Sequence, residues 1–267
     1  NDLGLDRSGN GNNWTANNIT YADQMVDSPT NNFATWNPLV PITNTQSEGN
    51  LKTSMTGASA IPSTIGASSG KWYAEVHFVS GTHCRIGIVA GQAGIGENHG
   101  FGAGNSWIKV NGSGHYHDST HIASSGSSIA AGDIIGIAVD VDAGKLWFSK
   151  NGTWDNNGSG TGVPATGAYA RYDDAGIRSG EEIYFAVSSG TGTLVFTLNA
   201  GQDSSFAGAK TAQGNQDSND IGDFFYEPPN GYLALCSKSL PNPTVIPSEH
   251  FNTVLYTGNG STQNITG

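Results

Sequence analysis

Residues 132–154 read GDIIGIAVDVDAGKLWFSKNGTW, and this stretch decides the fold. IIGIAVDVD (134–142) and KLWFSKNG (145–152) are two β-prone runs joined by Ala143-Gly144, the signal of a hairpin. Asp140 and Asp142 share a strand face and lead into that turn, where Asp is favoured for its local hydrogen bonds. The same two residues invite a catalytic reading. Glycan hydrolases hold two carboxyl groups across the scissile bond, ~5–5.5 Å apart for retention and ~6.5–9.5 Å for inversion. Such a site needs a Glu-rich strand facing a cleft, and no Glu lies near Asp140-Val141-Asp142. Hairpin scaffolding is the better account.

The pattern continues outward in both directions. KWYAEVHFV (71–79) alternates, with Trp72, Ala74, Val76 and Phe78 on one face and Tyr73, Glu75 and His77 on the other. CRIGIVA (84–90) is more continuously apolar and suits an interior strand. The turn SGTH (80–83) separates them. EIYFAVSS (182–189) and TLVFTLNAG (193–201) flank Gly190-Thr191-Gly192 and read as a second hairpin. Short strands with Gly/Asn turns, and no amphipathic helix, predict an all-β chain folded as an antiparallel two-sheet sandwich. Trp72, Val76, Ile86, Ile88, Ile137, Val139, Trp147, Phe185 and Phe196 are expected to line one buried core. Trp14 and Trp36 find no place in this pattern.

Composition agrees. The 267 residues suffice for one large β domain or two small ones. The 38 glycines favour turn-rich architecture, and the charged fraction of 12% is about half the usual ~25%. Amides and hydroxyls must therefore solvate the surface. A net charge of −11 opposes phosphate contacts, so nucleic acid is excluded as a partner. No stretch approaches ~18 apolar residues, so no membrane insertion is expected. Cys84 and Cys236 lie in apolar runs where Cys acts as a small buried hydrophobe. One bridge between them stays open, whereas a disulfide framework does not arise. The chain opens on Asn1 with neither initiator Met nor signal peptide, and an excised or processed piece is the expectation. Asn-x-Ser/Thr triplets such as Asn13-Trp14-Thr15 and Asn264-Ile265-Thr266 mark surface loops.

Other motifs carry little chemistry. Gly66-Ala67-Ser68-Ser69-Gly70 matches a nucleophile elbow in letters, but it precedes a strand and no helix follows. Asp6-Arg7-Ser8-Gly9-Asn10-Gly11 matches half of a calcium loop, yet Asn17 stands where a bidentate Glu is required, leaving an Asx/Gly turn. His115-Tyr116-His117 puts two imidazoles on one strand face with His121 near, and two ligands do not close a metal site. In a trimeric fibre such a pair could meet its symmetry mates on the axis. No cofactor or metal is expected.

The order of the strands resembles the SPRY domain family over about residues 50–208. Gly132-Asp133 opens a strand, Phe148-Ser149-Lys150-Asn151-Gly152 closes the hairpin, and Leu198-Asn199-Ala200-Gly201-Gln202 with Phe206 matches the closing strand. The resemblance implies a concanavalin A-like jelly roll and a binding role without catalysis. The chain then divides into an Asn-rich segment packing on the sandwich (1–50), the SPRY-like sandwich (51–208), a loop and strand completing the domain (209–250), and an edge hairpin or the start of a following module (251–267). A loop is expected over 207–223. The flanks DRSGNGNNW, DQMVDSPTNNFATWNPL, PPNGYLALCSKSLP and VLYTGNGSTQNITG are similar to segments of large bacteriophage virion proteins, especially tail or appendage proteins of marine phages.

Aromatic residues point to recognition. Trp107, Tyr116, Trp154, Tyr169 and Tyr172 lie in Gly/Ser/Asn-rich stretches, where a ring offers an apolar face and neighbouring amides offer hydrogen bonds. The resemblance implies that loops 98–121 and 153–173 gather along one side of the sandwich. The candidate ligand-binding residues are Trp107, His115, Tyr116, His117, Trp154, Arg171 and Tyr172. The function expected is host-surface glycan or protein recognition by a tail fibre or external appendage of a virion, as part of a homo-oligomer such as a trimer. A structural module binding other virion proteins is the alternative, and a glycan depolymerase a more distant one.

Overall fold

The computed structural model describes residues 3–19, 28, 30–57, 59–91, 105–112, 114–118, 120–123, 125–241, 245, 250, 251 and 253–265. Two sheets face each other. The larger runs β1 (Asn44–Ser47), β2 (Lys52–Thr56), β14 (Thr193–Asn199), β4 (Lys71–Ser80), β9 (Ile134–Asp140), β10 (Lys145–Lys150) and β11 (Thr153–Trp154). Off this path, β12 (Tyr172–Asp173) pairs with β10, and β15 (Leu233–Ala234) lies parallel to β4. The smaller sheet runs β3 (Ser59–Pro62), β13 (Ile183–Ser189), β5 (Cys84–Ala90), β6 (Ser106–Val110), β7 (His115–His117) and β8 (Thr120–Ala123). Among the described residues every pairing except that of β15 is antiparallel, and the two-sheet sandwich follows the sequence reading.

The 132–154 stretch folds as read. β9 and β10 pair with Asp140 opposite Lys145. Asp140 Oδ1 accepts the Ala143 N–H at 2.9 Å, and its Oδ2 lies 3.2 Å from Lys71 Nζ. Asp142 instead accepts the Gly70 N–H at 3.1 Å. Each carboxylate thus ties down its own piece of turn. Asn151 (φ 49°) and Gly152 (φ 80°) form a two-residue turn of the left-handed kind that strand twist favours, leading into β11. Asn151 Oδ1 accepts the Ile134 N–H at 2.9 Å while its Nδ2 donates to Asp133 Oδ1 at 2.7 Å. These bonds lock Gly132-Asp133 to the far end of the hairpin.

The second hairpin does not exist. β13 belongs to the smaller sheet and β14 to the larger, so Gly190–Gly192 carries the chain from one sheet to the other. SGTH (80–83) does the same between β4 and β5. A short turn serves either purpose, and each strand presents one apolar face to the same core in both arrangements, so local pattern does not separate them.

The inner core collects Trp72, Val76, Ile86, Ile88, Ile137, Val139, Phe185 and Phe196, as expected, and adds Trp36. Trp147 is equally buried but on the outer face of the larger sheet, with Tyr73, Phe33, Phe224, Tyr232 and Cys236. Its indole N–H donates to Ala168 O at 2.9 Å. That outer face is covered because Phe33 and residues 215–236 lie over it, with Phe33 bridging Cys236. Glu75 anchors the wrap. It is fully buried and accepts the Phe225 N–H at 2.9 Å, the Tyr226 N–H at 2.7 Å, Tyr73 Oη at 3.1 Å and Asn199 Nδ2 at 3.0 Å.

Several other expectations meet the structure here. Trp14 is 81% exposed. Cys84 and Cys236 are free and buried in different clusters, and burial pushes the Cys84 thiol up to about 12. Asp6 accepts the Ser8 and Asn12 N–H groups at 2.8 and 2.9 Å, the Asx turn of the sequence reading. Residues 253–265 form no hairpin and contain no strand, and Leu255 is fully exposed. The span is short and Asn/Gly-rich, and among the described residues no second strand packs on its apolar residues to fix a register. Residues 252, 266 and 267 lie outside the described residues. Among the described residues, no helix is long and apolar enough to cross a membrane.

Candidate recognition groove

The outer face of the smaller sheet carries an apolar depression. Along β5, Arg85, Gly87 and Val89 point outward, opposite the inward Cys84, Ile86 and Ile88. Strand pairing sets Ala186, Gly87, Ile108 and Tyr116 in one transverse row and Ser188, Arg85 and Val110 in the next. From these two rows Ile108, Val110 and Tyr116 supply an apolar wall. A groove of about 440 Å³ opens there. Val110, Ile108 and Tyr116 line its apolar side, and His83, Arg85, Asn111 and Thr191 supply its polar groups.

Its rim is built from the two sheet-crossing turns and the turn after β6 that carries Asn111. His83 Nδ1 lies 3.1 Å from both Thr82 Oγ1 and Thr191 Oγ1, and the Gly190 N–H donates to His83 O at 3.2 Å. Asn111 Nδ2 donates to Thr82 O. Three turns are thereby stapled into one polar edge beside the apolar wall. Such an arrangement binds a ligand that buries an apolar group and hydrogen-bonds along one side.

The seven residues picked from the sequence do not form one surface. Trp107 lies in β6 and is fully buried in the inner core, and His117 stacks on it at 4.9 Å. Tyr172 is buried too, its hydroxyl donating to Ile108 O at 2.8 Å and lying 2.9 Å from Tyr116 O. His115 is fully buried between the sheets. These residues stand on strands, and strand alternation turns Trp107, His115 and Tyr172 inward. Tyr116, on the opposite face of β7, is the one that reaches the groove. Trp154 packs against the outer cluster of the larger sheet, on the far side of the molecule. Arg171 is half-buried, donating to Ser125 Oγ at 3.0 Å and Ser125 O at 2.7 Å. Residues 98–104, 113 and 119 of the first expected loop lie outside the described residues.

An ionic cluster lies where the sequence showed only a histidine pair. Lys109 and Asp155 form an ion pair with both side chains out of water, and His115 Nε2 stands 3.6 Å from Asp155 Oδ2. Burial holds His115 down to about 4, so its ring is neutral near pH 7. Burial alone would raise the Asp155 carboxyl, but the His115 ring and the Lys109 ammonium keep it well below the usual carboxylate range. The signal for Lys109 was present: in SWIKV it alternates in phase with the core residue Trp107. His83, Arg85 and Thr191 had no comparable signal, because their meeting depends on which sheets the turns connect. Among the described residues, no group of three His, Cys, Asp or Glu side chains is placed to hold a metal ion.

Residues 71–161 match the family model of the SPRY domain. Among solved structures, the chain is similar to the SPRY domain of human HERC1, with 16% identity over 61% of this chain and 96% of that one and a TM-score of 0.46. The stonustoxin structure aligns with 19% identity over 62% of this chain and 27% of that one, with a TM-score of 0.47. The PSpry domain of TRIM65 aligns with 14% identity over 62% and 92%, with a TM-score of 0.45. No curated protein matches the chain in sequence.

Proposed function

We propose that this protein, with its SPRY-type segment at 71–161, is a recognition module without catalytic activity, and that it binds through the groove on the smaller sheet. The observation that carries this reading is the groove itself: an apolar wall of Ile108, Val110 and Tyr116 faced by a stapled polar rim from three turns. A protein segment fits that chemistry best, burying a side chain against Tyr116 while its backbone meets His83, Asn111 and Thr191. The one carboxylate pair that suggested hydrolysis is occupied in turn bonds at Asp140 and Asp142.

The setting we propose is an external appendage of a phage virion, where the module contacts a host-surface protein or glycan and assembles with further copies or other virion proteins. The low charge and the Asn/Gly-rich flanks support it. The test is binding of the labelled protein to intact cells from a panel of marine bacteria, beside a melting curve. Tyr116→Ala should weaken binding roughly thirtyfold, the effect of ~2 kcal/mol at an aromatic anchor, with little change in melting. Unchanged binding removes the groove as the site. Gold-labelled antibody against this chain distinguishes the second role, assembly: label at a distal tip supports adhesion, and label against the shell or tube supports assembly.

A further inference from the structure

Beside the buried Lys109–Asp155 pair, a cleft of about 540 Å³ opens between residues 126–127 and 150–156. That volume lies within the ~300–1,000 Å³ range of small-molecule sites. Gly126 and Ser127 form one wall; Lys150, Thr153, Trp154 and Asn156 form the other. We propose that this cleft is a second binding site, for a neutral saccharide, with Trp154 as its stacking platform.

The walls are tied to each other by groups with no evident duty elsewhere. Beneath the cleft, Asp155 Oδ2 is held by Lys109 while its Oδ1 accepts the Ser127 N–H at 3.0 Å and Ser127 Oγ at 2.7 Å. Arg171 makes a second tie, donating to Ser125 O at 2.7 Å on one wall and to Asn156 O on the other. Gly126 lies directly on the ionic cluster: a Cβ there would stand 2.9 Å from His115 Cε1 and 3.0 Å from Asp155 Oδ2, at a φ of +139°. A buried ion pair contributes little net stability compared with an apolar filling of the same space, but it fixes geometry. Here the geometry it fixes is the spacing of the cleft walls, the preorganisation that a binding site needs.

The lining selects the ligand class. Trp154 is partly exposed, and its indole is steadied edge-on by Tyr73 at 6.4 Å. Among the described residues lining the cleft it is the one large apolar surface, and hydroxyls, amides and an ammonium surround it. A pyranose presents the same combination in reverse, one flat C–H face with hydroxyls around its edge. A peptide of comparable size would need several apolar contacts that the cleft lacks. Charge is balanced: Lys150 faces Asp133 at 3.7 Å and Asp155 faces Lys109, so nothing favours an anionic sugar.

The experiment applies the full chain to a printed array of bacterial surface glycans. The strongest neutral glycan is then titrated by isothermal calorimetry, with melting curves for each variant. The proposal expects a neutral glycan to bind, Trp154→Ala to weaken it about thirtyfold or more, and Trp154→Phe to keep most of the affinity. Tyr116→Ala should leave this titration unchanged, so failure of the groove and failure of the cleft are read separately. The proposal is overturned if no arrayed neutral glycan binds or if Trp154→Ala binds as wild type does. It is equally overturned if Trp154→Ala and Trp154→Phe lose binding together with a matching fall in melting temperature, because the ring is then core.

Discussion

Glu75 sits on β4 between Tyr73 and His77, completely buried, and its hydrogen bonds come from two backbone N–H groups, a phenol and an amide. Burial pushes its carboxyl from 4.5 up to about 7, with those donors pulling the other way. His77 and His115 are pushed from 6.5 down to about 4, again by burial. The contributions to stability have opposite signs. The folded state holds its proton on Glu75 more tightly than the unfolded chain does, so that contribution is full below 4.5 and is lost as pH rises through 7. The folded state resists protonating the two histidines, so theirs is full above 6.5 and is lost as pH falls through 4. Between pH 5 and 6 the two histidines outweigh the one Glu, and unfolding free energy should rise with pH by roughly one proton's worth, ~1.4 kcal/mol per unit. Glu75→Gln removes the opposing contribution, and the slope should then roughly double. Urea unfolding at pH 5, 5.5 and 6 reads it; an unaltered slope in the variant would place Glu75's titration outside this window.

At the scale of elements, turns decide more than strands do. The Asn151-Gly152 turn needs two left-handed residues, and Gly152 also lies under the Tyr226 ring, where a Cβ would stand 2.8 Å from Cδ1. Gly152→Ala should therefore combine backbone strain with displacement of Tyr226, costing ~1–3 kcal/mol in thermal or urea unfolding. Gly180, also left-handed but open around its Cβ, should cost less on the same substitution, from the backbone alone. Equal losses at the two positions would show that the Tyr226 contact is unimportant. The turns at 80–83 and 190–192 resemble that hairpin turn in composition but cross between sheets, and by crossing they bring His83 and Thr191 to one rim.

For the molecule as a whole, the sandwich is expected to depend on its wrap. Residues 215–236 cover Tyr73 and Trp147 and supply two of the four donors to Glu75. Ending the chain at residue 208 takes two donors from that carboxylate and exposes those rings to water, a loss of ~1.5–3 kcal/mol for each large apolar side chain. Such a chain should be recovered insoluble or without a cooperative melt. Ending it at residue 250 removes side chains that are exposed, including Phe251, Leu255 and Tyr256, and should leave the melting temperature within a degree or two by the small cost of surface changes. A soluble, cooperatively melting 1–208 chain would show that the wrap is an accessory.

Strand identity, the inner core and the Asn-Gly hairpin were legible in the residues because each depends on neighbours along the chain. Alternation in KWYAEVHFV assigns Trp72 and Val76 to one face whatever lies beyond the strand, and Asn151-Gly152 adopts its turn by intrinsic backbone preference. Alternation does not say whether the opposite face meets water or more protein. By pattern Trp147 therefore joined the single core and Glu75 only the other face of its strand, yet both are buried under chain from far along the sequence, which for Glu75 returns from 150 residues away. The candidate site suffered most from the same limit. Tyr116 was identifiable as a ring with recognition potential, but Trp107, His115 and Tyr172 were turned inward by strands whose register is set by long-range pairing. The partners of Tyr116 in the groove come from β5, β6 and two crossover turns, which only the packing of the two sheets brings together.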